Sequence, residues 1–167
     1  MERGVYTYEY VNAPFDDITL MLAEHADRVL QPATEDAASQ AEELVRSLSA
    51  TVAGIEVSQQ AKISVERFVP TGPRSGVLPL RWRAARADAL FPAMEAALEV
   101  AAVSLHPPIT QISLIGRYRP PFGVIGWAAD ALIGHRVAEM AASRFVRGVA
   151  ATLERELSNT LLASSSP

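Results

Sequence analysis

The sequence predicts an α+β fold in which a curved antiparallel sheet wraps around one long C-terminal helix. Three observations predict it. Apolar residues alternate with polar ones in short runs, four of which are consecutive and joined by turn-forming residues, as in an antiparallel meander. Two short helical runs lie between the first strand and the second. The segment from 123 to 160 carries an apolar stripe at helical spacing, and no other segment is long enough to cover the sheet.

The elements follow in order. Val5 to Val11 is short and rich in Tyr, Thr and Val, as a strand should be. Its register is open, because Val5, Thr7, Glu9 and Val11 could form the inner face, or Tyr6, Tyr8 and Tyr10 could. Pro14 suits the first turn of a helix, and Asp16 and Asp17 then meet the positive end of its dipole. Gln31-Pro32 should close this helix, and Thr34 should cap a second one that runs to about Gly54.

Period two then takes over. Ala61, Ile63, Val65 and Val69 alternate with charged and polar residues, so 57–70 reads as one strand. A further strand could occupy 53–59. Val77 to Ala85 is the next strand, and Pro79 implies a pairing defect or an edge there. Residues 94–105 and 110–118 complete the meander, joined by the turn His106-Pro-Pro-Ile109. Arg81, Arg83, Arg117 and Arg119 share the outer face with Glu95 and Glu99, as a solvated sheet face would. A helix over 123–160 would be about 57 Å long, against a diameter of about 40 Å for a domain of this size, so a bend at Gly134 is expected.

Composition sets the limits. The chain has 167 residues, which suits one domain over 1–162 with a disordered tail at 163–167. It has no cysteine, which excludes disulfides, thiolate metal sites and a Cys nucleophile. A net charge of −4 argues against nucleic acid as a partner. No run of about 20 apolar residues offers a membrane span, and the first ten residues do not read as a signal peptide, so the expected compartment is the cytoplasm. The chain also contains 28 alanines, many at inward positions, which either line a hole or let layers pack closely.

At the two ends, two motifs carry a resemblance. One is Val11-Asn-Ala-Pro14, leading from strand to helix. The other is Thr110-Gln-Ile-Ser-Leu-Ile-Gly-Arg-Tyr-Arg-Pro-Pro-Phe-Gly123, followed by Gly126, Asp130 and the amphipathic helix. Together they resemble the START-like (SRPBCC, polyketide cyclase-like) superfamily, whose fold is the helix grip. That superfamily commonly has six or seven strands, where this sequence offers five. The resemblance implies a cavity between sheet and helix for a lipid- or polyketide-like ligand; separately, no cofactor is expected.

On that reading the ligand-facing residues are assigned strand by strand. They are Glu9 on the first strand and Ile63, Val65 and Arg67 on the second. Trp82, Met94, Leu98 and Val100 follow, then Ile112, Leu114 and Tyr118. Met140, Ala141 and Phe145 come from the last helix. Glu9 and Arg67 would be inward charges, able to pair or to orient a polar ligand group. No catalytic set is legible. His25, His106 and His135 lie on separate elements, outside any metal-ligand spacing, and His135 reads as a residue at the helix bend. Gly123 and Gly126 open a helix but follow a meander strand, so they read as packing glycines and not as a phosphate loop. Binding or carriage of a small hydrophobic molecule is therefore the leading reading, without stable membrane insertion. A cyclase or dehydratase using a cavity carboxylate, and an interaction module with a collapsed pocket, are the alternatives.

Overall fold

The structure is a computed structural model that describes residues 3–49, 61–84, 93–119 and 131–164. Strand β1 (Arg3–Val11) leads into helix α1 (Phe15–Ser49). Strands β2 (Ala61–Val65), β3 (Val69–Gly72), β4 (Ser75–Ala84), β5 (Ala93–Leu105) and β6 (Pro108–Arg119) follow, and helix α2 (Ala131–Ser164) comes last. All pairings are antiparallel, in the order β1-β6-β5-β4-β2, with β3 also on β4.

The register of β1 is settled in favour of Val5 and Val11. Both are buried, while Tyr6, Tyr8 and Tyr10 are about half exposed on the outer face. Across the sheet the inner face forms rows of directly opposed residues. One row reads Arg3, Tyr118, Met94, Trp82, Ile63, and another reads Thr7, Leu114, Leu98, Leu78. Directly paired residues share a face, so these rows form the face that the two helices cover.

Several expectations change. The strand expected over 57–70 is two strands, β2 and β3, separated by residues 66–68. Pro79 explains the gap. Its carbonyl accepts a hydrogen bond from the Glu66 N–H at 2.9 Å, so its nitrogen, which carries no hydrogen, faces the same side. The neighbouring strand is interrupted opposite the missing donor. Phe68, in the gap, packs over Gly76, where a Cβ would lie 2.1 Å from the ring.

The two helices expected between the first strands are present, but the kink that divides them does not fall at Gln31-Pro32. Pro32 lies inside α1, and the departure from helical geometry falls at His25 instead (φ −135°, ψ 35°). Thr34 is not a cap. Its hydroxyl donates to the Leu30 carbonyl at 2.7 Å, one turn back within the helix. The bend expected at Gly134 is also absent, since α2 is helical from 131 to 164 and reaches about 50 Å. The expected tail at 163–167 begins inside this helix. The positions 53–59, 86–92 and 120–130, with Gly123, Gly126 and Asp130, lie outside the described residues.

The core lies between the inner sheet face and α2. Trp82 and Phe145 fill its centre with rings edge to face, 4.5 Å between centroids. On its other side α2 meets α1 closely, because a Cβ on Gly148 would sit 3.1 Å from the Cβ of Ala33. Ala138, Ala141 and Ala142 of α2 are at most 1% exposed. These helix alanines therefore bring layers together and do not line a hole.

Candidate functional site

The inner sheet face is apolar almost throughout, so its polar exceptions define the site. Leu98, Ile112, Leu114 and Phe145 are 0% exposed, which leaves no water-sized space against them. Val100 and Ala141 are nearly as closed. These six residues, expected as pocket walls, are packed core in this structure. Ile63, Val65 and Met140 keep partial exposure, and β2 is the outermost strand among the described residues.

The two expected inward charges are not a cavity pair. Arg67 is exposed in the break between β2 and β3. Glu9 does share the inner face, but at its rim, and Arg147 of α2 takes its carboxylate at 3.4 Å. The cyclase alternative relied on a buried acid, and Glu9 is not one.

A different polar group stands at the end of the apolar face. Tyr118 is the last inward residue of β6 and is 1% exposed. Its hydroxyl lies 2.9 Å from Nδ1 of His135, and the two rings are nearly parallel. His135 Nε2 in turn lies 3.1 Å from the Glu139 carboxylate, one turn along α2. An ionised Glu139 fixes the proton on Nε2, which leaves the Nδ1 lone pair to accept from the phenol. Arg3, opposite Tyr118 in the sheet, hydrogen-bonds the phenol from the other side. Burial raises the Tyr118 pKa above the usual tyrosine value, Glu139 adds to this, and the Arg3 charge and hydrogen bond pull the other way. The line runs from a buried phenol through a half-buried imidazole to an exposed carboxylate. It can hold a ligand oxygen or pass a proton between solvent and the apolar interior.

Sequence reading assigned Tyr118 but missed His135 and Glu139. Their spacing of four residues on one helix face was the available signal, since it places the carboxylate against the imidazole. What the spacing could not show is that Tyr118 would arrive on the other side of the ring.

The described residues also contain a concavity away from the sheet. A cleft of about 940 Å³ lies between the first turns of α1 and the last turns of α2. Asn12 spans its upper end, donating from both its backbone and its side-chain amide to Glu154 Oε1, each at 2.9 Å. Arg28 and Glu156 pair across it at 3.4 Å. Among the described residues there is no cluster of groups fit to hold a metal ion, and no helix is long and apolar enough to cross a membrane.

No known family matches the sequence, and no curated protein does. Solved structures give likenesses of shape at low identity. One is a protein from Thermus thermophilus, 15% identical, with a TM-score of 0.49 over 98% of this chain and 100% of that one. Another is the Zhui aromatase/cyclase from a Streptomyces species, 14% identical, with a TM-score of 0.46 over 94% and 96%. Norcoclaurine synthase from Thalictrum flavum is 11% identical, with a TM-score of 0.38 over 90% and 85%. Identity this low speaks of shape and not of activity. At the level of fold the START-like resemblance rests on this chain's own topology: among the described residues, a six-stranded antiparallel sheet packs on a long C-terminal helix, which is the helix-grip arrangement.

Proposed function

We propose that this chain binds a small apolar molecule carrying an oxygen function, at the Tyr118 end of the interface between the sheet and α2. One observation carries the reading: a fully buried phenol, bonded to Arg3 and His135, closes a face that is otherwise apolar. Apolar burial would supply affinity, and the phenol would orient the ligand. Met94 beside Tyr118 and the half-buried Met140 are adaptable side chains that can shift to admit it. The centre of the interface is already filled by Trp82 and Phe145, so the ligand belongs at the end.

Native mass spectrometry of gently purified protein, followed by displacement of a lipophilic dye, tests this. A bound apolar molecule is expected, and Tyr118→Phe should weaken its binding by about tenfold, the worth of one well-made hydrogen bond. Protein that is recovered empty and takes up no dye would overturn the reading.

The outer face favours a second reading, an interaction module. Tyr6, Tyr8 and Tyr10 form an exposed ladder with ring centroids 6.1 and 5.6 Å apart, a surface suited to a protein partner. Loss of dye binding on Tyr118→Phe with no effect of Tyr8→Ser favours the ligand reading. A partner lost on Tyr8→Ser, with no dye binding at all, favours the other.

A further inference from the structure

The cleft between the start of α1 and the end of α2 is separate from the site proposed above. Its volume, about 940 Å³, is that of a small-molecule site. One wall comes from α1, where Asp17, Leu20, Met21 and Glu24 recur at intervals of three and four residues before the kink at His25, and Arg28 follows beyond it. The apolar members sit in the middle, and Leu20 is 58% exposed, although a large aliphatic side chain is usually covered. Leu157 faces them from α2.

Among the described residues, two carboxylates of the cleft are bonded to neighbouring side chains and two are not. Glu154 is taken by Asn12, and Glu156 by Arg28. Asp17 and Glu24 make no ion pair among the described residues. They stand seven residues apart on the helix, which is about 10 Å along its axis, with Leu20 and Met21 between them. An occupant must therefore be apolar in the middle and positive towards its ends.

We propose that this cleft binds an elongated organic dication, of the alkyl diamine or polyamine class, with its ammonium groups at Asp17 and Glu24 and its methylenes over Leu20 and Met21. Two charge-assisted contacts and one apolar strip make a bipartite site that a monocation or a dianion satisfies poorly. His25, where α1 leaves helical geometry, also lines the cleft.

The test is a titration of the full chain with octamethylenediamine at low ionic strength, read by methyl NMR. Suberate, of similar length and opposite charge, is the control. Saturable shifts at Leu20 and Met21 are expected with the diamine and not with suberate. The pair Asp17→Asn and Glu24→Gln should weaken binding by about tenfold or more, and salt should weaken it as well. Both positions are exposed, so the variants should fold, and Trp82 signals should stay unmoved in every case. Equal binding of suberate, shifts that never saturate, or undiminished binding by the double variant would overturn the proposal. The sheet site can fail its dye test without affecting this result, because the two sites share no residue.

Discussion

The two faces of β1 carry different side chains and meet opposite fates. Outward, Tyr6, Tyr8 and Tyr10 are about half exposed. Inward, Val5 and Val11 are buried, and Thr7 and Glu9 lie between them although they are the more polar pair. Intrinsic apolarity therefore did not choose the face. The choice came from β6, whose Leu114 and Ile112 oppose Thr7 and Glu9 and face α2. A strand pairs as a unit, and a slip of one residue would turn Leu114 and Ile112 against the wrong row. The difference between the faces is what covers them.

The comparison breaks most sharply at the centre of the covered side. Phe145→Ala removes the partner of Trp82 and should cost about 3–5 kcal/mol in denaturant unfolding. An unchanged midpoint would mean that the inner face is not the core. Next comes the contact behind α2. Gly148→Val puts a branched side chain against Ala33 and should cost about 1–3 kcal/mol by the same measurement, because Ala33 backbone lies 3.3 Å from the new Cβ.

Tyr118→Phe should cost about 1 kcal/mol at neutral pH, for one buried hydrogen bond. Its pH profile is more diagnostic. The folded state holds the phenol's proton more tightly than the unfolded chain does, so stability is full below the ordinary tyrosine pKa. It falls as pH rises through the raised folded value. The wild type should therefore lose stability at alkaline pH relative to Tyr118→Phe, and parallel profiles would contradict the burial of that hydroxyl. The smallest effect belongs to the open side: Tyr8→Ala should change stability by no more than about 0.5 kcal/mol. A loss as large as that of Phe145→Ala would mean that the outer ladder is covered.

The fold was largely readable from the sequence because its signals are periodic. The four-strand meander, the helical C-terminal stripe and the order of elements follow from local spacing and turn residues. What spacing could not reveal depends on partners distant in the chain. Pro79 was read as a pairing defect, but it took the neighbouring strand to show that the interruption falls between β2 and β3. Pro32 looked like the boundary between two helices, but the kink that divides α1 falls seven residues earlier, at His25. The candidate site was legible only in part. Tyr118 could be placed on the inner face, but His135 is 17 residues further along and on another element. Glu9 and Arg67 were matched by parity alone. One lies at the rim with Arg147, and the other lies in a gap that parity assumed to be strand.

The bonds between Asn12 and Glu154 have a further meaning for how the protein is made. Their residues are 142 positions apart, and among the described residues β1 finds its only sheet partner in β6. A ribosome needs on the order of ten seconds to cover that distance. The first strand made is thus among the last to be seated, and its tyrosines and valines wait without a neighbour while α1 and the β4–β5 hairpin can already form. Most of the exposure to misassembly should fall in that interval, and it should be shortened by any change that speeds the docking of β6 and α2.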